Sequence, residues 1–268
     1  MDFIKKTKIV ATLGPATSSE DTIEKMILGG VNVFRVNFSH ADYKNVSDRI
    51  KMIRKVDVKL NTNTAIMGDL QGPKLRIGEI KEGSFLKPGD RVIFSTEKPF
   101  IGNSKKAYMN YKNFPKDVSK GERILLDDGK LIFEVISTNK KNEVEAKVIQ
   151  GGDFKSKKGV NLPNTNISLP ALTEKDIQDA EYMFTQDIDW IALSFVRFSQ
   201  DIIDLKNLMA KNIDIKIPII AKIEKPEAIE NIDKIIAYSD GLMVARGDLG
   251  VEVPAQEVPL IQKRLVRL

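Results

Sequence analysis

The chain has 268 residues, 42% of them hydrophobic and 29% charged, enough for a globular fold with a sizeable core. Its 42 Lys+Arg against 37 Asp+Glu leave a net charge of +5 spread along the chain, which argues for a solvated surface and against nucleic-acid binding. The absence of cysteine excludes disulfides and thiolate metal sites, and a single histidine excludes a histidine-rich one. No apolar run is long enough for a signal peptide or a membrane span, so a cytoplasmic enzyme away from membranes is expected.

Strand and helix patterns alternate from the start. Lys8 to Thr12 is a short β-rich run. Asp21 to Leu28 carries Ile23, Met26 and Ile27 at helical spacing, between a capping-box-like Ser18-x-x-Asp21 and Gly29-Gly30. Val31 to Val36 reads as the second strand, a helix is expected around Asn45 to Lys55, and Ala65 to Met67 reads as the third strand. A βαβαβ order implies parallel strands joined by right-handed crossovers.

The character changes over 77–168. Short β runs at Arg91 to Ser95, Arg123 to Leu126, Lys130 to Val135 and Val144 to Ile149 are separated by turn signals such as Pro88-Gly89-Asp90, Asp127-Asp128-Gly129 and Gly151-Gly152-Asp153. This segment reads as a small β-barrel domain inserted into an α/β domain. The alternation resumes at Pro170. Thr173 caps a helix whose apolar face is Ile177, Ala180 and Phe184, and Trp190 to Leu193 is the fourth strand. Ser199 caps a helix using Ile202, Leu205, Leu208 and Met209, and Ile219 to Ala221 is the fifth strand. Pro226 opens a helix using Ile229, Ile232 and Ile236, and Leu242 to Ala245 is the sixth. The expected fold class is α/β: an incomplete (β/α)8 TIM-type barrel of about six strands with an inserted small β-barrel domain. The expected division is 1–76, first part of the barrel; 77–168, inserted lid domain; and 169–268, second part of the barrel.

The two apolar runs at Ile219 and Leu242 end in charges that a core strand would not tolerate. Lys222 and Glu224 follow the first, and Gly247-Asp248 follows the second. The carboxyl end of parallel strands is where α/β chemistry sits. Two carboxylates suit a hard divalent cation, and a lysine beside them suits a phosphate or an enolate. The plainer reading is a salt bridge among exposed strand-end charges.

Seven segments carry a family resemblance. KIEKPEAIENID and SDGLMVARGDLGVEVP come from the two strand ends just described. The others are KIVATLGPATSS at Lys8 to Ser19, FRVNFSHADY at Phe34 to Tyr43, GDLQGPKLRIG at Gly68 to Gly78, LLDDGK at Leu125 to Lys130 and DWIALSFVR at Asp189 to Arg197. In order, they resemble pyruvate kinase. The resemblance implies phosphoryl transfer from phosphoenolpyruvate to ADP, giving pyruvate and ATP in glycolysis. It implies Mg2+ or Mn2+ on Glu224 and Asp248, with Lys222 as electrostatic catalyst and Arg35 on the phosphate. Ala245, Gly247 and Asp248 would hold the substrate carboxylate. Ser194 and Phe195 would lie at the substrate, with Phe195 packed beside Lys222. Asn37, His40 and Arg76 would face the nucleotide.

Asn37, Ser39, Asp69 and the Leu70 carbonyl match the family's monovalent-cation site. Potassium-dependent members carry glutamate where this chain has Lys74, and Thr-Lys where it has Leu70-Gln71. The Lys74 ammonium would stand in for bound K+ and repel one, so no K+ requirement is expected. Asp127 and Asp128 match residues that meet the active site when the lid closes, although an Asp-Asp-Gly turn needs no such role. Full-length members are homotetramers. The chain lacks the family's Ala-Thr-Gln-Met-Leu-Glu motif, and six strands are legible where eight close a barrel. As it stands the chain is therefore expected to be inactive or nearly so. The alternatives are a non-catalytic fragment of a pyruvate kinase and, further off, another Mg2+-dependent phosphoenolpyruvate or pyruvate barrel lyase.

Overall fold

A computed structural model describes residues 6–163, 165–212, 214 and 216–268. Its contacts divide the chain into two compact units. One comprises Met1–Gly72, Ala171–Ile223 and Glu230–Met243; the other comprises Pro73–Pro170, Glu224–Ile229 and Val244–Leu268.

The first unit alternates strand and helix: β1 (Ile9–Thr12), α1 (Glu20–Leu28), β2 (Val31–Asn37), α2 (Tyr43–Leu60) and β3 (Ala65–Asp69). The chain then runs through the second unit's strands β4 (Phe85–Leu86), β5 (Arg91–Ser95) and β6 (Lys106–Tyr108), helix α3 (Phe114–Asp117), and strands β7 (Arg123–Leu126), β8 (Leu131–Thr138), β9 (Glu143–Gln150), β10 (Gly152–Asp153) and β11 (Val160–Asn161). It returns with α4 (Glu174–Phe184), β12 (Trp190–Leu193), α5 (Ser199–Asn212), β13 (Ile219–Ile223), α6 (Pro226–Glu230), α7 (Ile232–Tyr238) and β14 (Gly241–Val244), and continues as α8 (Arg246–Glu252) and α9 (Val258–Arg267).

The six expected α/β strands form one sheet in the order β1-β2-β3-β12-β13-β14. The pairings that join β1, β2, β3, β12 and β13 are parallel, with Asn37 opposite Asp69 and Leu193 opposite Ala221. Parallel strands are buried on both faces and so read as continuous apolar runs. Phe34, Ile66, Ile191, Leu193, Ile219, Ala221 and Ile223 are all fully buried.

The helix ends differ from expectation in instructive ways. The cap of α1 is Ser19, not Ser18; its hydroxyl accepts from the Thr22 N–H. Helix α2 runs well beyond 45–55, because Asp42 caps it at one end and left-handed Asn61 closes it at the other. Thr173 caps α4 as expected, in a reciprocal box with Asp176. Ser199 is itself helical; instead the Asp201 carboxylate reaches back to the Arg197 and Phe198 N–H groups at 2.8 and 3.1 Å. The crossover after β13 is two short helices, with Asn231 starting the second, rather than one continuous helix.

At the N-terminal ends of β3 and β12, Arg54 donates to Asp187, Asp189 and the Thr64 carbonyl at 2.6–2.7 Å. Asp57 accepts from the Thr62 and Thr64 hydroxyls and the Thr64 N–H. Polar networks at this end of a parallel sheet serve stability.

The second unit holds a six-stranded sheet, β11-β7-β8-β9-β5-β6, and a two-stranded ladder of β10 with β4. The expected runs appear as β5, β7, β8 and β9, joined by shorter strands that the sequence did not suggest. The segment around Arg76 bridges toward both edges of the larger sheet, through Arg76 with Gly159 and Ile77 with Met109. One apolar cluster including Leu86, Phe94, Phe114 and Phe133 forms the core of these strands. Phe94 meets Phe114 and Phe133 edge-on. Asp128 and Gly129, both at positive φ, make the tight turn between β7 and β8. Among the described residues no helix is long and apolar enough to cross a membrane.

Candidate active site

In the first unit, the carboxyl ends of four adjacent strands converge on one buried carboxylate. Asp69, at the end of β3, is 1% exposed. It accepts from Arg35 Nε at 2.6 Å and also pairs with Arg35 Nη2. Its other oxygen lies 3.2 Å from the ammonium of Lys222. That oxygen, Oδ1, accepts no aligned hydrogen bond, so its attraction to Lys222 is ionic. Lys222, near the end of β13, is 7% exposed and donates to Ser194 Oγ at 2.7 Å. The Ser194 hydroxyl in turn donates to the Leu70 carbonyl at 2.7 Å. Arg35 adds a bond from Nη1 to the Thr12 hydroxyl at 3.2 Å. Two cations thus sit on one buried anion, and each is held by a second oxygen. Such a cluster presents fixed positive charge that need not reorganise when an anion arrives.

The backbone beside this cluster is constrained. Phe195 takes a positive φ of 55°, rare for a large side chain. Gly72, at φ +71°, lies so close that a Cβ there would stand 2.7 Å from the Phe195 ring and 3.0 Å from Ser194 Cβ. The Gly72 N–H is held by Asp176 Oδ1 at 3.0 Å. Asn37 Oδ1 accepts from the Ser39 N–H at 2.9 Å. The side chain of His40 lies outside the described residues.

The remaining expected residues belong to the second unit. Glu224 follows β13 directly and is 1% exposed. Ala245 is the N-cap of α8, and exposed Gly247 and Asp248 lie in its first turn. A Cβ on Gly247 would meet nothing within 4 Å, so open space surrounds that position. Lys74 is exposed. Arg76 donates to the Lys157 carbonyl at 2.6 Å. Asp127 pairs with Lys158 at 2.9 Å and Lys130 at 3.2 Å, and the Lys158 hydrogen bond holds its carboxyl below the usual range. The turn thus supplies structural work for Asp127.

Among the described residues no group of three or more His, Cys, Asp or Glu side chains could hold a metal. A Mg2+ ion bound by one or two carboxylates completes its shell with water and substrate oxygens, so Glu224 and Asp248 are a donor set of suitable kind and number. The reading from sequence missed Thr12, Asp176 and, in the second unit, the buried pair Lys225 and Glu252 with half-buried Asn161. Thr12 lies within a quoted motif. Lys225 and Glu252 look like surface charges, and only their positions next to Glu224 and one turn after Asp248 set them apart.

The family model for the pyruvate kinase barrel domain matches residues 4–268. Curated relatives include pyruvate kinases of Staphylococcus saprophyticus subsp. saprophyticus at 45% identity, Bacillus licheniformis at 44% and Geobacillus stearothermophilus at 43%. Each alignment covers 98% of this chain and 45% of the relative, so the chain spans about half the length of the curated relatives it matches.

Proposed function

Because the chain belongs to the pyruvate kinase family, we propose that its strand ends serve phosphoryl transfer from phosphoenolpyruvate to ADP. The observation that carries this reading is the Arg35–Asp69–Lys222–Ser194 cluster, a pair of immobilised cations at the carboxyl end of a parallel sheet. Phosphoryl transfer asks a protein chiefly for positioning and for charge opposite the phosphoryl oxygens. In this reading Lys222 faces the transferring group and Arg35 its oxygens. Asp69 keeps both side chains extended, and Ser194 fixes the direction of the lysine. Glu224 and Asp248 would hold Mg2+ or Mn2+, which when bound neutralises phosphate charge. Ala245, Gly247 and Asp248 would receive the substrate carboxylate. Arg76, Asn37 and His40 would face the nucleotide. The segment 77–168 is proposed as an inserted lid domain between barrel parts 1–76 and 169–268.

Lys74 would take the place of a monovalent cation near Asn37, Ser39, Asp69 and the Leu70 carbonyl. Asp69 and Leu70 are already engaged by the chain's own donors, which supports a site without K+. Any turnover should then run equally fast in K+ and in a tetraalkylammonium salt.

The test is binding to the 268-residue chain. Mn2+ should bind, Glu224→Gln and Asp248→Asn should each weaken it at least tenfold, and phosphoenolpyruvate should tighten it while Lys222→Met abolishes that coupling. Mn2+ affinity that survives the Glu224→Gln, Asp248→Asn double change would overturn the reading.

A further inference from the structure

Lys225 and Glu252 have no part in the chemistry above, yet both are buried, at 6% and 7% exposure. Their ion pair closes at 2.6 Å, with side chains 7% and 1% exposed. The same oxygen, Glu252 Oε1, accepts from the Asn161 amide at 2.8 Å. Asn161 ends β11, the last strand of the larger sheet in this unit. The other oxygen, Glu252 Oε2, is buried and accepts no hydrogen bond.

Burying an ion pair is seldom the most stable solution, since apolar side chains of similar volume often do as well or better. A carboxylate retained for stability would use both oxygens. Here both donors crowd onto one. What the pair does achieve is registry. Lys225 is the neighbour of Glu224, so fixing its side chain fixes the backbone that presents Glu224. Glu252 lies four residues after Asp248 on α8, one helical turn along the same side. The pair therefore joins the two carboxylate-bearing segments, and Asn161 ties that joint to the end of β11.

We infer that Lys225, Glu252 and Asn161 are positioning residues: a clamp built on a buried ion pair that sets the spacing of Glu224 and Asp248 for a divalent cation. The inference rests on the reading that those two carboxylates hold the ion. Groups that orient metal ligands from outside the coordination shell typically change affinity by about 10–100-fold when removed.

The test is Mn2+ titration of the 268-residue chain, following free Mn2+ by electron paramagnetic resonance at a temperature where circular dichroism shows every variant folded. The Lys225→Met, Glu252→Gln double variant replaces the pair with neutral groups of similar volume and so avoids a stranded charge. It should keep the fold and raise the Mn2+ dissociation constant about 10–100-fold. Asn161→Ala, which leaves the ion pair intact, should raise it several-fold and carries the test if the double variant does not fold. A pair kept only for stability would move the melting midpoint and leave Mn2+ affinity alone. Folded variants with wild-type Mn2+ affinity, alongside a Glu224→Gln chain that has lost it, would overturn the clamp and leave the metal reading standing. A wild-type chain with no Mn2+ affinity would overturn both.

Discussion

Replacing Asp69 by Asn is the sharpest test of the cation cluster. The change keeps shape and removes one charge. Asp69 is 1% exposed, and its partner Lys222 is 7% exposed with 3.2 Å between ammonium and carboxylate. The Arg35 side chain, at 29% exposure, is wetter and will recover part of its loss to water. Removing one member of a buried ion pair costs about 3–5 kcal/mol, because the charge left behind keeps its desolvation penalty. At about 2–4 °C per kcal/mol for a protein of this size, the melting midpoint should fall by about 6–20 °C. The chain carries its own reporter. Its only tryptophan, Trp190, lies on β12 directly opposite Met67 of β3, the strand that ends in Asp69. Tryptophan emission during thermal and urea unfolding therefore follows this unit. The Asp69→Asn, Lys222→Met double variant, which removes both charges, should recover more than half of the loss. A single-variant loss below about 1 kcal/mol would refute the claim that these charges are energetically coupled.

Three further outcomes follow from the geometry. Asp57→Ala strips the buried Thr64 N–H and hydroxyl of their acceptor and should cost about 2–4 kcal/mol in urea unfolding, at roughly 1–3 kcal/mol per stranded group; a loss under about 1 kcal/mol would count against it. Gly72→Ala forces a methyl against Phe195 and Ser194 at a positive φ, and should cost at least about 1–2 kcal/mol while weakening any phosphoenolpyruvate binding that depends on Ser194; an unchanged midpoint would show that the loop relaxes freely. Tyr111, 3% exposed, has its phenol pushed up to about 12 by burial and by its hydrogen bond to Asp117. The folded pKa is raised, so its contribution is complete below the unfolded pKa near 10 and is lost as pH rises from there through about 12. That loss amounts to about 2–3 kcal/mol of stability in the second unit, measurable by urea unfolding at stepped pH, and Tyr111→Phe should flatten the slope.

The parallel sheet was legible because its inner strands β3, β12 and β13 are almost wholly buried and read as apolar runs. Lys222 was visible because it ends such a run, whereas Asp69 stood out only through the motif it shares with the family. Short strands such as β6 and β11 were not, since two or three residues carry no periodicity and are placed by their neighbours. The split between α6 and α7 was hidden because Ile229, Ile232 and Ile236 keep a helical spacing across it, while Ala228, Ile232 and Ile235 are the residues actually buried. Lys225 and Glu252 were missed because a buried pair of opposite charges is indistinguishable in sequence from two solvated ones. Its signature is mutual distance, which lies between segments far apart in the chain. Gly72 carries a turn-like signal, but its reason, the Phe195 ring and Ser194 Cβ, comes from a distant strand end.

The pairing of β3 with β12 also has a bearing on how the chain reaches its fold. Ile66 donates to Asp189 across 123 positions, a long loop to close before any contact rewards it. The intervening segment carries its own clasp: Ile77 donates to the Lys158 carbonyl and Val160 to the Leu75 carbonyl. If that segment folds first, its entry and exit are already together, and the effective loop shrinks to about 40 residues. Loop-closure entropy scales with the logarithm of length, so the saving is about 1 kcal/mol, or several-fold in the rate of joining the two halves of the sheet. The larger sheet of the intervening segment would then act as an internal chaperone of the parallel one, assembling early from nearby hairpins and delivering two distant strands to each other.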